Sequence, residues 1–393
     1  MAPRNFAQLI KAALDGEAAA QYQISQMYYL GDESVRNEAS AFEWCKKAAD
    51  QGLADAQHSL ATMYVNGCGV EPDLKEAVKL FRKAAEKNHG AALGALGTLY
   101  RTGRGVERNP EKAAKLYRKA AAKGSAVAMY NLGSMHSTGE GVKKSWEQAF
   151  AWIERAAEAG LAEAQSTLGE LYCTGQGTAQ DYAKAFQCFE KAAAQGERTA
   201  QNNLGALYMS GMGVAKDEKK AVECFTKAAE QGEDSAQRFL GQLYEEGEVL
   251  PKDDAKAFEW YAKSAAQGNP VAQNNLANLY LEGRGVKQDL ARALELYRKA
   301  AERGIPQAQC GLAEMYIKGL GCDVDRDAGI LWLGMAASNG YGPAARRLEN
   351  LNREKTGQSA SGQPDAQPDA QPSAQPDAQS DAQPQAEQAP QES

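Results

Sequence analysis

Three histidines and seven cysteines are the residues of this 393-residue sequence best suited to nucleophilic, general-base or metal-binding chemistry. The cysteines are Cys45, Cys68, Cys173, Cys188, Cys224, Cys310 and Cys322. Their number is odd, no two are spaced C-x-x-C, and no histidine cluster accompanies them. That pattern speaks against a disulfide framework and a zinc site and fits a reducing compartment. His136 stands where similar segments carry Tyr, and His58 and His89 fall on different elements. The sequence contains no H-E-x-x-H, G-x-x-x-x-G-K-[ST], G-x-S-x-G or S-x-x-K. Turns such as Gly103–Arg104–Gly105 resemble phosphate-binding loops, but they recur in seven segments, as helix connectors would. The sequence therefore predicts a non-enzyme with no catalytic, cofactor or metal residues.

The elements that position these residues are set by a repeat. Gly16, Gly52, Asn88, Gly124, Gly160, Gly196, Gly232, Gly268, Gly304 and Gly340 follow one another at a constant 36-residue period. With each as column 0, column 4 is Ala throughout (Ala20, Ala56, Ala92 and onward). Column 8 is Leu after Ile24, and column 12 is Tyr except for His136. Columns 4, 8, 11 and 12 share one face of a 3.6-residue period, which predicts a first helix over columns 3–14. A second helix is expected over columns 22–35, with Ala in column 25, large residues in 28 and 29, and small ones in 32 and 33. Trp44, Trp152, Trp260 and Trp332 share column 28. The first Gly of each connecting turn ends the first helix in a left-handed conformation. A 36-residue unit buries too little to fold alone, so neighbours must stack into one continuous core.

Four segments follow. Residues 1–15 form an N-terminal capping half-repeat, in which Leu9, Lys11, Ala12 and Ala13 match the end of a second helix. Residues 16–339 hold nine repeats, and 340–355 a C-terminal capping helix. Residues 356–393 repeat Gln-Pro-Asp-Ala without aromatic residues, Lys or Arg, and are expected to be a disordered acidic tail. The net charge of −7 sits mostly in that tail, on Asp365, Asp369, Asp377, Asp381, Glu387 and Glu392. The near-neutral remainder gives no basic stripe for nucleic acid or anionic membrane. No run approaches the roughly 20 apolar residues of a membrane span, and no secretory leader precedes the repeats, so a cytoplasmic location is expected. The oligomeric state is left open. Two turns depart from the pattern, with Glu33 in repeat 1 and Val249 in repeat 7 in place of the second Gly.

The period, Ala in column 4, Leu-Gly in columns 8 and 9, Tyr in column 12, the Gly-x-Gly-Val turn and the Lys-Ala-Ala near the end of each unit resemble Sel-one-like repeats. These are relatives of tetratricopeptide repeats. The resemblance covers residues ~5–350. It implies an all-α, right-handed α-α superhelix whose first helices line a concave surface, and a scaffold or adaptor for a protein or extended peptide. Two alternatives accompany it. One is a dedicated immunity or host-directed virulence protein acting on a single partner. The other is β-lactam hydrolysis, known in cysteine-rich members that bridge columns 33 and 41; here those columns hold Ala and Gln, as in Ala49 and Gln57.

Columns 6, 7, 10 and 13 lie off the apolar face and vary while the core columns do not, and the candidate partner-binding residues are drawn from the first three. Column 6 offers Tyr130, Asn202, Arg238 and Asn274; column 7 offers Asn131, Asn203 and Asn275. Column 10 offers Glu170, Gln242, Asn278 and Glu314. The resemblance aligns the column-7 asparagines with a position that grips a peptide backbone, for which an amide supplies donor and acceptor. The alternative is that these asparagines belong to the repeat pattern and brace the neighbouring helix. Column 31 is Lys or Arg in repeats 1–8 and Met335 in repeat 9; the cations suit either the second helix's dipole or an acidic partner.

Overall fold

The computed structural model describes residues 6–32 and 34–356 of the chain. The acidic tail and the Glu33 substitution lie outside the described residues. Among them there are twenty helices and no strand.

The chain divides into two compact units, one through Asp181 and one from Tyr182. The first holds α1 (Phe6–Leu14), α2 (Ala18–Leu30), α3 (Glu38–Asp50), α4 (Ala54–Asn66) and α5 (Leu74–Glu86). It continues with α6 (Gly90–Thr102), α7 (Pro110–Ala121), α8 (Ala126–Thr138), α9 (Trp146–Glu158) and α10 (Ala162–Thr174). The second holds α11 (Tyr182–Ala194), α12 (Arg198–Ser210), α13 (Glu218–Glu230), α14 (Asp234–Glu246) and α15 (Asp254–Ala266). It ends with α16 (Pro270–Glu282), α17 (Leu290–Glu302), α18 (Pro306–Lys318), α19 (Arg326–Ser338) and α20 (Gly342–Thr356). Even-numbered helices are the first of each repeat and odd-numbered ones the second. Within each unit every helix packs on the ones before and after it in sequence.

Local chemistry fixes the helix ends. First helices stop at a glycine in the left-handed region, as at Gly67 (φ 73°) and Gly283 (φ 72°). Repeat 1 differs: Gly31 is extended, with φ −63°. Second helices start at a side-chain cap in column 21, for instance Asn37 accepting from Ser40 N at 2.8 Å and Asp289 from Arg292 N at 3.0 Å. Each cap residue's own N–H donates to the column-12 carbonyl of its repeat, such as Asp73 N to Tyr64 O at 3.0 Å, which closes the turn.

The core is built of columns. Ala in columns 4, 25 and 32 is almost fully buried and lets the backbones approach, while aromatic and branched side chains fill the space between. Gly in column 9 makes room for a large residue in column 29. A Cβ on Gly241 would stand 2.6 Å from the Tyr261 ring, and one on Gly133 2.5 Å from Ile153. The Phe of column 26 meets the next repeat's Tyr edge-on, with centroids 5.4 Å apart at Phe42–Tyr64 and again at Phe258–Tyr280.

Candidate functional site

Columns 6, 7, 10 and 13 form one longitudinal face on each first helix, half-buried for most of their length. In the first unit Tyr130 on α8 reaches the following first helix, its hydroxyl 3.4 Å from Thr167 Oγ1. Tyr22 does the same to Ser59 Oγ at 2.8 Å. Asn131 is half-buried, and its Oδ1 lies 3.5 Å from Arg101 Nη1. Glu170 is also half-buried.

In the second unit the asparagines occur as pairs. Asn202 donates from Nδ2 to Asn203 Oδ1 at 3.3 Å, and Asn274 to Asn275 Oδ1 at 3.1 Å. Asn202 and Asn274 are buried, whereas Asn203 and Asn275 stay half-exposed. Each column-6 amide thus orients its column-7 neighbour. Arg238 lies over the Phe239 ring at 4.0 Å and donates to Gln242 Oε1 at 3.4 Å. Asn278 Oδ1 accepts the hydroxyl of Tyr297, a buried side chain that reaches through from the second helix. Glu314 receives Arg347 at 2.6 Å and Lys318 at 3.0 Å. Burial pushes the Glu314 carboxyl up, but these two cations outweigh it and hold the group below its usual range.

Several features of this face could not be read from the sequence. Column 13 of one repeat pairs with column 16 of the next, with different chemistry at each junction. Arg101 meets Glu140 at 2.8 Å; Glu245 meets Arg284 with the signs reversed, at 2.6 Å; Tyr29 Oη stands 3.9 Å from Cys68 Sγ. The acidic run Glu245, Glu246, Glu248 is accordingly tempered: Glu245 also accepts from Tyr261 at 2.8 Å, and Glu246 from Gln242 at 2.7 Å. A glutamine column lies behind the face. Gln21, Gln57, Gln165, Gln237, Gln273 and Gln309 donate to the carbonyls of Ala13, Ala49, Ala157, Ala229, Ala265 and Ala301. These are the positions where the disulfides of cysteine-rich relatives are expected, and here a hydrogen bond joins them.

The groups considered for catalysis have other surroundings. None of the seven cysteines is in a disulfide. Burial pushes the Cys45 and Cys310 thiols up to about 11, the opposite of a reactive thiolate. Cys188 and Cys224, in the column that carries Trp in other repeats, are half-buried. His136 is buried, with Nδ1 3.1 Å from the Lys143 carbonyl. His58 and His89, distant in sequence, come together with centroids 5.1 Å apart, and His89 both caps α6 and bonds Asp55 at 3.0 Å. Burial and the neighbouring His89 push His58 down, towards its neutral form. Among the described residues no group of three His, Cys, Asp or Glu could hold a metal ion, and no helix is long and apolar enough to cross a membrane. Three column-31 cations lie on column-28 tryptophans: Lys47 is 4.2 Å from the Trp44 centroid, Arg155 4.3 Å from that of Trp152 and Lys263 3.9 Å from that of Trp260.

An all-α array of 36-residue helix pairs, with a uniform core and a variable polar face, defines a tetratricopeptide-like repeat protein. The chain belongs to the Sel1 repeat family, whose repeat matches residues 18–53, 54–89, 90–125, 126–161, 162–197, 199–233, 234–269, 270–305 and 306–341. Among solved structures it is similar to a protective antigen present in uropathogenic Escherichia coli strains and displaying an SLR fold. The two are 32% identical over 90% of this chain and 91% of that one, with a TM-score of 0.56. It is also similar to a Sel1 repeat protein from Oxalobacter formigenes, 34% identical over 79% of this chain and 89% of that one, TM-score 0.58. Comparison with curated protein sequences gives no match. Sel1 repeats typically mediate protein–protein interaction, and the helical scaffold is generally non-catalytic.

Proposed function

We propose that this chain is a non-catalytic scaffold or adaptor that holds a protein or extended peptide against the faces of its first helices. The observation that carries this reading is the contrast between a core that repeats almost unchanged and a face whose polar groups change from repeat to repeat. A stacked core needs uniformity; a partner is selected by what varies on it. The paired amides support a backbone-gripping role. With Oδ1 of Asn275 engaged by Asn274, the orientation of its amide is set before a ligand arrives, which lowers the ordering cost of binding.

The test is a cross-linking capture from native lysate with wild type and an Asn131/Asn203/Asn275→Ala variant of unchanged Tm. Proteins enriched by wild type and lost with the variant support the reading. Identical enrichment moves recognition to another surface, and a fall in Tm without loss of capture makes these asparagines braces. A second reading, one dedicated partner in an immunity or host-directed role, draws on the likeness to the uropathogenic protective antigen. Recovery of a single stoichiometric partner favours it over several substoichiometric ones.

A further inference from the structure

Arg82 on α5, Tyr100 on α6 and Lys112 on α7 converge on a cavity of about 420 Å³, completed by Gly105, Val106, Glu107 and Asn109 of the intervening turn. The Tyr100 ring is buried, but its oxygen accepts from both Arg82 Nη2 and Lys112 Nζ, each at 2.7 Å. A phenol has two acceptor sites and one donor. With both acceptor sites filled, its O–H proton is left to donate into the cavity. Asn109, whose Oδ1 accepts the Lys112 backbone N–H, also lines the cavity.

Neither cation has a carboxylate within ion-pair distance among the described residues. Two like charges share one neutral oxygen. Burial pushes the Tyr100 phenol up, yet the hydrogen bonds and charges of Lys112 and Arg82 outweigh it and leave the phenol below its ordinary value. The combination is particular to this place: only repeat 3 carries cations at both positions flanking the column-12 side chain. The equivalent positions hold Lys46 and Glu76 around Tyr64, or Ala262 and Arg292 around Tyr280.

We infer that this cavity is a carboxylate-binding site for an acidic peptide, distinct from the first-helix face and independent of the reading proposed for it. Arg82, Lys112 and the Tyr100 O–H supply converging donors, charge-assisted on two sides. Val106 offers apolar contact to the ligand's stem. Glu107 on the lining selects a singly charged carboxylate over a dianion, since like charge opposes the second negative charge.

The test is a titration of the full chain, carrying ¹³Cζ-labelled tyrosine, with acetyl-Ala-Ala-Glu-Ala-Ala-amide and with its Gln counterpart. The Tyr100 signal is assigned from Tyr100→Phe. The Glu peptide is expected to shift that signal saturably and to bind about tenfold more tightly than the Gln peptide, as loss of a charge-assisted contact implies. An Arg82→Gln/Lys112→Gln variant, changed only at exposed side chains and of unchanged Tm, should lose the shift; Glu107→Gln should tighten binding about threefold. Equal response to both peptides, or a response retained in the double variant, overturns the site. A Tyr100 shift produced by inorganic phosphate at lower concentration than by the Glu peptide overturns the carboxylate assignment in favour of a phosphoryl group.

Discussion

Gln57 and Gln273 each bury a side-chain oxygen that accepts no hydrogen bond, and the reason lies 30 residues further on. At other junctions the C-cap residue just past the next second helix, a Gln or Asn, supplies the donor. Gln51 donates to Gln21 at 2.8 Å, Gln231 to Gln201 at 2.7 Å, and Gln267 to Gln237 at 2.9 Å. Gln57 and Gln273 meet Lys87 and Arg303 instead, and these send their charged ends to the carbonyls of Gly52 and Gly268. Gln51 shows that one amide can serve both acceptors, since it also reaches Gly16 O at 2.8 Å. A buried unsatisfied acceptor costs about 1–3 kcal/mol, whereas a cation near a helix C-terminus contributes only about 0.3–1 kcal/mol. Lys87→Gln and Arg303→Gln should therefore each stabilise the chain by about 1 kcal/mol. Denaturant melts of the two single variants check this; a midpoint that fails to rise in either would show that the glutamine oxygen is satisfied by solvent.

The connecting turns show how an element constrains its neighbour. Both glycines of a Gly-x-Gly turn have positive φ, 72° at Gly283 and 67° at Gly285, so each resists substitution on local grounds. They differ in what surrounds them. A Cβ on Gly283 would meet the Gln288 Cβ at 3.3 Å, a side chain able to shift; a Cβ on Gly285 would lie 2.1 Å from the Asp254 carbonyl oxygen at the start of α15. Gly285→Ala must therefore move one helix pair away from the next, while Gly283→Ala strains only its own turn. The expected costs are about 1 kcal/mol at Gly283 and more than about 3 kcal/mol at Gly285, read from equilibrium unfolding of the two variants. Equal losses would mean that the helices part without penalty. The 36-residue period, the helix boundaries and the turn glycines were legible because each depends on residues close in sequence. The role of the second glycine was not, since it is a contact with another repeat. Nor were the junctions Arg101–Glu140 and Glu245–Arg284, because a one-dimensional period says which residues share a column but not which columns touch. The candidate face was readable as polar columns; that Asn202 and Asn274 are buried and orient their neighbours depends on side-chain packing that the period does not encode.

At the scale of the chain, stability is a sum of neighbouring junctions rather than the property of one core, and the ends are where that sum can be tested. The last repeat is covered by α20. Ala344 and Leu351 are buried against Ile317, Leu333 and Ala336, with Tyr341 and Leu348 packed beside them, while Arg347 holds Glu314. Truncation after Tyr341 would expose that cluster and leave Glu314 paired with Lys318 alone. Losing the cover of two or three large apolar side chains amounts to about 4–6 kcal/mol, enough to open α18 and α19 without any change further along. Hydrogen exchange should show protection lost in α18 and α19 and kept in α2 to α8 of the unit through Asp181, because no junction there has been altered. A chain ending at residue 356 serves as the control and should exchange like the full chain. Uniform loss of protection across both units would mean that the array unfolds as one cooperative body. In that event a ligand bound at one repeat would stabilise every other, instead of the few repeats it touches.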